Sequence, residues 1–410
     1  MGTRSFGFVR GVGGRITVMT VAIALVALGA VTVISVLQSS GALSDTQTDQ
    51  LRAVRDIKEA QIASYFTQVR TELDVLADTV GTIEGQAFSE LEGLHLAKKE
   101  AVERYFANNP EAYANRDSGD VGAALTGLVD SRVGMGDTGE TYLSEYAGGT
   151  YTLRSDIPIT GGGDLVHGTD VTDIAPEYMK LGHRGEAGHD IFSDSAGTLI
   201  MGVYTPIDYG TANLVLVTKK NLEEALTVTS AGSRQDYLSR YNGQLGYYDL
   251  FLVHPEGEIF YSVARESDYQ TNIISGEYSD SSLNQAVTEA IDTGEFGFGD
   301  FAPYEPSGGE PAAFVADPIM EGGEIDFLVA LQIPLEEINA IMNERTGMGE
   351  TGETYLVGPD HLMRSDSFLD PQYHSVSASF ANPNTGDVRT VAAERALAGE
   401  TDSDIIVDYT

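Results

Sequence analysis

The residue types best suited to hold a small ligand occur in a tripeptide that the chain contains twice. Arg154 and Asp156 belong to one Arg-Ser-Asp sequence, and Arg364 and Asp366 belong to the other. A guanidinium holds a ligand carboxylate through two parallel hydrogen bonds, and an aspartate accepts a hydrogen bond from an amine. The alternative for each motif is that the arginine and the aspartate pair with each other at the end of a hairpin. These four residues are therefore candidate ligand-binding residues.

Three tyrosines are further candidates for lining a ligand pocket. Tyr142, Tyr151 and Tyr204 lie in segments that alternate as strands do. Their rings would form apolar walls, and their hydroxyls would orient a ligand. The alternative is that these tyrosines fill the core of the sheet, each with its hydroxyl bonded to a neighbouring group.

A histidine-rich stretch is a weak candidate for a metal site. His183, Glu186 and His189 stand close together in the sequence GHRGEAGHD, and imidazole and carboxylate groups bind zinc. The three glycines of this stretch predict a mobile loop, in which the ligands would not be prearranged. We therefore expect no metal and no other cofactor.

Enzyme signatures are missing from the sequence. Cysteine is absent from the 410 residues, which excludes disulfides, thiolate metal sites and a cysteine nucleophile. The chain also has no GxSxG, HExxH or Walker A motif. These observations predict a binding protein rather than an enzyme.

An internal repeat surrounds the two Arg-Ser-Asp motifs. Residues 134–143 read GMGDTGETYL and residues 347–356 read GMGETGETYL, so that nine of ten positions match at an offset of 213. Each copy follows a helical pattern and precedes an Arg-Ser-Asp. Chance does not explain this agreement, so the sequence predicts duplicated structural units.

The element pattern of residues 247–345 shows what one unit contains. Two strands form a hairpin, a short helix begins after Ser281 and ends at Gly294, and three strands and a helix beginning after Pro334 follow. Residues 121–240 fit the same β-β-α-β-β-β-α order. The fold class predicted is α+β, with tandem antiparallel sheets.

Residues 346–410 begin a third unit in the same way, with two strands and a helix near residues 391–398, and then reach only one more strand. A sheet that ended there would leave an exposed apolar edge. We therefore expect an incomplete third unit and a chain that continues in a longer protein.

The segment before these units is predicted to be helical. Residues 44–110 carry apolar side chains at three- and four-residue spacing, including Ile62, Val69 and Leu76, with no proline before Pro110. This pattern predicts a long helical stalk. Its apolar stripe would pack on the domain that the stalk supports, form a dimer seam, or do both, and we expect a homodimer.

The N-terminal region predicts a membrane anchor. Residues 16–37 contain no charge and, as a helix, would extend about 33 Å, which is enough to cross a bilayer. A signal peptide is the alternative, but its apolar region is usually about 7–15 residues long. Three arginines lie within residues 1–15, so the positive-inside rule places that segment in the cytoplasm and the rest of the chain outside.

The charge balance limits the partners. Asp and Glu number 62 against 24 Lys and Arg, which gives a formal net charge of −38. Such a surface repels nucleic acid, so no nucleic-acid partner is expected. The acids are spread along the chain, which favours solvation in a salty medium over a dedicated cation-binding face.

Several longer strings resemble the Cache family of extracytoplasmic PAS-like sensor domains. They are GMGETGETYLVGPDHLMRSDS, YYDLFLVHPEGEIFYSVA, and GFGDFAPYEPSGGEPAAFVADPI followed by IPLEEINAIM. The resemblance implies a double Cache sensor region of a methyl-accepting chemotaxis receptor or a sensor histidine kinase. The chain departs from that pattern by a third unit and by the absence of tryptophan, which belongs to the pocket motif of the amino-acid-binding members.

The predicted function is to bind a small molecule, such as an organic acid or an amino acid, and to pass a conformational signal across the membrane. A chemotaxis transducer is the leading interpretation, and the input domain of a histidine kinase or cyclase is an alternative. A structural surface protein and a metal-dependent ectoenzyme are alternatives of other classes.

Overall fold

The computed structural model describes residues 45–157, 165–194, 196–210, 212–227, 229, 235–404 and 406–409. The chain divides into two compact units. Residues 79–240 form the first sheet unit, and the second sheet unit combines the preceding helix residues with the chain from Tyr241 onward. The predicted cytoplasmic segment 1–15 and membrane span 16–37 lie outside the described residues. Within the described part of the chain, no helix is both long and apolar enough to span a bilayer.

The predicted stalk is one helix, α1, Asp45–Asn108. Its apolar stripe is buried, and Ile62, Val69, Leu73, Leu76 and Val80 are each at most 1% exposed. This burial supports the interpretation that the stripe packs within the chain. A dimer seam stays a prediction.

The first sheet unit contains a five-stranded antiparallel sheet in the order β2-β1-β5-β4-β3. Its elements are α2 (Gly119–Val129), β1 (Glu140–Ala147), β2 (Thr150–Leu153), α3 (Glu177–His183), β3 (Gly188–Ser193), β4 (Leu199–Ile207), β5 (Leu214–Asn221), α4 (Leu222–Leu226) and α5 (Tyr237–Leu245), with a 3-10 turn at Thr172–Ile174; α5 continues beyond the unit boundary. The two faces of the sheet bury separate apolar clusters. One cluster includes Tyr142 and Val217, and the other includes Leu143 and Leu216.

The second sheet unit repeats this topology, with the order β7-β6-β10-β9-β8. Its elements are β6 (Leu250–Val253), β7 (Ile259–Ser262), α6 (Ser282–Thr293), β8 (Gly297–Pro303), β9 (Pro311–Glu321), β10 (Glu324–Ile333) and α7 (Leu335–Met342), with a 3-10 turn at Glu305–Ser307. The predicted helix boundaries are confirmed, because the Ser281 side chain caps α6 and Gly294 ends it at a φ of 65°. The two sheets agree with the predicted tandem PAS-like architecture.

The described residues after 345 form short helices, α8 (Pro371–His374), α9 (Val376–Ala381), α10 (Pro383–Gly386) and α11 (Val391–Leu397), and no named strand. The predicted hairpin is present only as one isolated bridge, between Val357 and Met363. In the first sheet unit β1 pairs with β5 as well as β2, whereas no described strand flanks residues 353–357. The ladder predicted in this segment is therefore absent from the described residues, and an incomplete third unit stays a prediction.

The two copies of the repeat nevertheless share their local hydrogen bonds. The backbone N–H of Leu143 donates to Ser155 Oγ at 2.9 Å, and the N–H of Leu356 donates to Ser365 Oγ at 2.9 Å. The arginine that precedes each copy, Arg132 or Arg345, donates to two carbonyls of the glycine turn. Identical bonds at matched positions confirm that the repeat is a duplication of structure as well as of sequence.

Candidate ligand site in the first sheet unit

A cavity lies against one face of the first sheet, beneath α3 and the preceding 3-10 turn. Apolar side chains form most of its wall, and three polar side chains reach it; the lining residues are Tyr142, Leu153, Ile157, Leu165, Val171, Ile174, Pro176, Tyr178, Met179 and Lys219. Its volume of about 30 Å³ has room for no more than a few water molecules. A ligand would therefore have to separate the walls.

A buried cluster of three charged side chains is built around one of these lining residues, Lys219. Its ammonium lies 3.3 Å from Glu140 Oε1 and 3.2 Å from Asp194 Oδ2. Glu140 stands opposite Lys219 in the β1–β5 ladder, and Asp194 directly follows β3. All three residues are at least 92% buried. The cluster carries one positive and two negative charges, so its net charge is −1.

The ionisation of the cluster follows from its neighbours. Burial by itself lowers the pKa of Lys219, but Tyr178, Glu140 and Asp194 together raise that pKa above its usual value. Lys219 is therefore held as an ammonium. Burial raises the pKa of Tyr142 well above its usual value, and its hydroxyl is hydrogen-bonded to that of Tyr178. Neutral tyrosine hydroxyls and an ammonium are the polar groups that the cavity offers.

Arg154, one of the predicted ligand-binding residues, lies in a different buried network. Its guanidinium bonds Glu145 Oε2 at 2.7 Å and Asp117 Oδ1 at 2.7 Å. Burial raises the pKa of Glu145, but hydrogen bonds from Tyr113, Arg154 and Arg116 lower that pKa by more. The net pKa of Glu145 is therefore below its usual value. Arg154 thus pairs with Glu145 and Asp117 rather than with Asp156.

Asp156 lies near the same end of the unit. Its carboxylate accepts a hydrogen bond from the backbone N–H of His167 at 2.8 Å, and its own N–H donates to Thr126. Neither Arg154 nor Asp156 lines the cavity. Their role in ligand binding stays a prediction.

Arg364 and Asp366 belong to the second sheet unit and also have separate partners. Arg364 makes two hydrogen bonds to Asp300, each of 2.9 Å, and a further contact with Asp360. Asp366 accepts from Asn339 at 2.9 Å and from the N–H of Val376 at 2.8 Å. The arginine and the aspartate of this motif therefore do not pair with each other. A ligand role for them stays a prediction.

The three candidate tyrosines differ in their surroundings. Tyr142 lines the cavity, and Tyr151 and Tyr204 do not. Tyr204 is 8% exposed within the apolar cluster on this face of the sheet, with its ring centroid 6.0 Å from that of Phe192. Tyr151 is half-buried, and its ring lies 5.3 Å from the imidazole of His183. The structure thus brings one of the three to the cavity.

The two histidines considered for zinc lie on regular elements, and Glu186 lies in the short loop between those elements. His183 ends α3 and hydrogen-bonds Ser144 Oγ and Asn213 Oδ1, each at 2.9 Å. His189 lies on β3 and bonds Glu92 at 2.6 Å. Glu186, between them, lies 3.5 Å from the guanidinium of Arg184. In the part of the chain that the structure describes, no three His, Cys, Asp or Glu side chains are arranged to hold a metal ion.

The sequence analysis did not identify Lys219, Asp194 or Tyr178. A signal for Lys219 exists, since it follows the apolar run LVLVT in a predicted strand and a lysine there must be buried or end the strand. Asp194 and Tyr178 offer no comparable signal. The sheet order, in which β4 lies between β5 and β3, brings Asp194 to Lys219, and the packing of α3 on the sheet brings Tyr178.

Comparisons with known proteins find similarity at the level of solved structures. No protein-family model matches the chain, and no curated protein sequence matches it. The ligand-binding domain of the Campylobacter jejuni chemoreceptor Tlp3 with L-valine is 14% identical, with a TM-score of 0.40 over 69% of this chain and 98% of that one. The ligand-binding domain of the Pseudomonas fluorescens chemoreceptor CtaA with L-alanine is 15% identical, with a TM-score of 0.36 over 66% and 96%.

The extracellular domain of the histidine kinase mmHK1S-Z2 is 12% identical, with a TM-score of 0.38 over 65% of this chain and 97% of that one. These three similar structures are the ligand-binding domains of two chemoreceptors and the extracellular domain of a histidine kinase.

Proposed function

We propose that this chain is the extracytoplasmic ligand-sensing region of a membrane signalling receptor, and that the cavity of the first sheet unit receives the ligand. The buried cluster of Lys219, Glu140 and Asp194 carries the proposal. Burying three charges costs several kcal/mol per ion before their mutual attraction offsets it, and an apolar cluster of the same volume is often as stable. Charged groups retained beside a cavity are therefore candidates for a binding role.

The chemistry of the cavity favours a ligand that carries both a carboxylate and an ammonium group. Lys219 is the charged group that lines the cavity, so it can bind a carboxylate, and Glu140 and Asp194, which do not line it, give the cluster a net charge of −1 that attracts a second cation. The hydroxyls of Tyr142 and Tyr178 accept from an N–H as well as donate. The remaining lining is apolar. Of the two predicted ligand types, an amino acid with an apolar side chain fits better than an organic acid.

A short hydrogen-bonded path connects the cavity with α1. Thr218 precedes Lys219 on β5 and therefore faces the opposite side of the sheet. His95 of α1 bonds the hydroxyl of Thr218 at 2.9 Å, and Thr141 of β1 bonds it at 3.0 Å. A shift of Lys219 on ligand binding would move Thr218 and thereby His95. Helix displacements of about 1–2 Å are sufficient for switching at packed interfaces.

The proposal also covers the class of receptor, the membrane anchor and the oligomeric state. A chemotaxis transducer is the leading form of the receptor, and a histidine kinase or cyclase input domain is the alternative. The bilayer anchor at residues 16–37 and a homodimer are part of it. The tandem PAS-like topology and the long helix α1 support a sensor.

Thermal denaturation of the chain in the presence of small molecules tests the proposal. Aliphatic amino acids should raise the melting temperature with increasing concentration, because a ligand that binds only the folded state stabilises it by mass action. Carboxylic acids that lack an amine should raise it much less. Tyr142→Phe and Tyr178→Phe should weaken the stabilisation.

Tyr204→Phe is the matched control, because Tyr204 lies in the same apolar cluster but does not line the cavity. The site assignment is wrong if a compound stabilises the wild type and Tyr142→Phe equally. Absence of stabilisation by every compound would favour a structural spacer over a sensor.

A further inference from the structure

The second sheet unit buries two carboxylates that have no cationic partner. Asp249 and Asp268 are both 0% exposed. Within the described part of the chain, neither forms an ion pair with a lysine, an arginine or a histidine. Burial of an ionised carboxylate without a counter-ion is costly, and such groups usually take up a proton instead.

The hydrogen bonds of Asp249 are structural. Its carboxylate accepts from Ser262 Oγ at 2.7 Å and from the N–H groups of Val263 and Ala264, each at 2.9 Å. Glu353 makes the same pattern in the second copy of the repeat, with Ser367 Oγ and two successive backbone N–H groups. An acid at this position therefore anchors a segment 13 to 16 residues further along the chain, and Asp249 alone needs no further explanation.

Asp268 is the feature that the structural role does not explain. Its Oδ2 accepts from the Tyr304 hydroxyl at 2.5 Å, but its Oδ1 is buried and has no hydrogen-bond partner. A buried carboxylate oxygen without a hydrogen-bond partner has lost its hydration without compensation, which destabilises the ionised form. A proton on that oxygen removes the charge and supplies a donor.

The groups that act on the two carboxylates make proton uptake easier. Burial is the largest effect on Asp249 and raises its pKa to about 6. Hydrogen bonds oppose this rise, and the repulsion of Asp268 adds to it. Burial raises the pKa of Asp268, the hydrogen bond from Tyr304 and the backbone N–H groups of Asp268 and Tyr269 oppose that rise, and Glu266 adds to it. Tyr248, two residues before β6, and Tyr304, after β8, are the other titratable groups that interact with Asp249. None of these neighbours is a cation.

We propose that Asp249 and Asp268 together form a proton-binding site, which makes the second sheet unit sensitive to pH independently of the ligand cavity in the first. A carboxyl whose folded-state pKa is raised binds more protons in the folded state than in the unfolded state. Its stabilising effect is complete below the unfolded-state pKa, near 4, and is lost as the pH rises through the folded-state value near 6. Acidification over this window should therefore tighten the unit.

The size of the response follows from the width of that window. One extra bound proton changes the unfolding equilibrium constant tenfold per pH unit, so about two units correspond to roughly a hundredfold. A change of that size would shift a two-state element appreciably when its states are nearly balanced.

Infrared difference spectroscopy of the whole chain between pH 7 and pH 4 tests the site directly, because a buried carboxylic acid and a carboxylate absorb at different frequencies. The wild type should show a buried carboxyl group that titrates near pH 6. Asp268→Asn should lower the intensity of that signal, and Asp292→Asn, which removes an exposed acid of α6, should not. Asp249 and Asp317, whose pKa values burial raises to about 6, account for the signal that remains.

Tyr304→Phe gives an independent test that does not remove either carboxylate. Loss of the hydroxyl that bonds the ionised Asp268 should move the midpoint to higher pH. The proposal is overturned if Asp268→Asn leaves the spectrum unchanged, or if the Tyr304→Phe midpoint stays fixed or falls. It is also overturned if sodium or magnesium ions displace the proton, because the site would then bind a metal cation.

Discussion

Replacement of Lys219 by methionine should destabilise the first sheet unit, by an amount that depends on pH. Methionine keeps most of the length of the side chain and removes its charge, so Glu140 and Asp194 stay buried without a counter-ion. Removing one partner of a buried ion pair costs about 3–5 kcal/mol. We expect a loss of that size in the free energy of unfolding at pH 7.

The loss should shrink on acidification. Without the ammonium, two buried negative charges have no counter-ion, and acid removes that charge. The stability of the variant should therefore recover as the pH falls. Replacing both acids as well, in Lys219→Met/Glu140→Gln/Asp194→Asn, should restore most of the stability at pH 7, since no buried charge remains.

Lys220→Met is the matched control on the same strand. The ammonium of Lys220 lies 3.7 Å from Glu224, its side chain is 23% exposed, and partly exposed pairs of this kind contribute about 1 kcal/mol or less. Urea denaturation followed by circular dichroism at pH 7 and pH 5 measures all three variants. Equal losses for Lys219→Met and Lys220→Met, or a Lys219→Met loss that is the same at both pH values, would refute the reasoning.

Two further predictions concern the repeat and the helix. Gly139→Ala and Gly352→Ala should each destabilise the chain by about 1–3 kcal/mol, because an added Cβ would lie 2.1 Å and 2.3 Å, respectively, from a backbone carbonyl oxygen. Gly85→Ala is the control, because Gly85 lies in open space on α1. It should stabilise the chain by up to about 1 kcal/mol in the same urea experiment. Burial, with smaller contributions from two neighbouring lysines, lowers the pKa of His95 to about 4. The contribution of His95 to stability is therefore lost as the pH falls from about 6.5 through 4. A His95→Gln variant should lack that part of the pH dependence. An imidazole NMR signal of His95 that titrates at its ordinary value would contradict this assignment.

Local signals in the sequence were sufficient for the order along the chain of the strands in the two sheets. The caps of α6 are a serine and a left-handed glycine, and the backbone needs those residue types wherever they stand. The stripe on α1 follows the helical period, so its burial could be predicted from spacing alone. The repeat could be predicted in the same way, since the glycines at 134 and 347 both adopt a positive φ that other residues rarely adopt.

Local signals could not predict which acids form ion pairs with the buried arginines. Arg154 and Arg364 are each buried in an ion pair, but with acids 9 and 64 positions away rather than with the neighbouring aspartate. Which acid reaches an arginine depends on sheet register and on loops that fold back, and these are properties of the whole unit. The ladder predicted near residues 353–366 was wrong for the described residues for a related reason, because a strand needs a neighbour to pair with.

The sequence by itself thus determined two tandem antiparallel sheets on a long helix, the duplicated turn, and the absence of thiol chemistry. Tertiary structure decided where charge is buried: Lys219 between Glu140 and Asp194 in one sheet, and Asp249 with Asp268 in the other. The physical reason is the distance along the chain over which each effect acts. Helix period, caps and turn glycines act over a few residues, whereas the electrostatic energy of a buried charge depends on every group that the fold brings within a few ångströms of it.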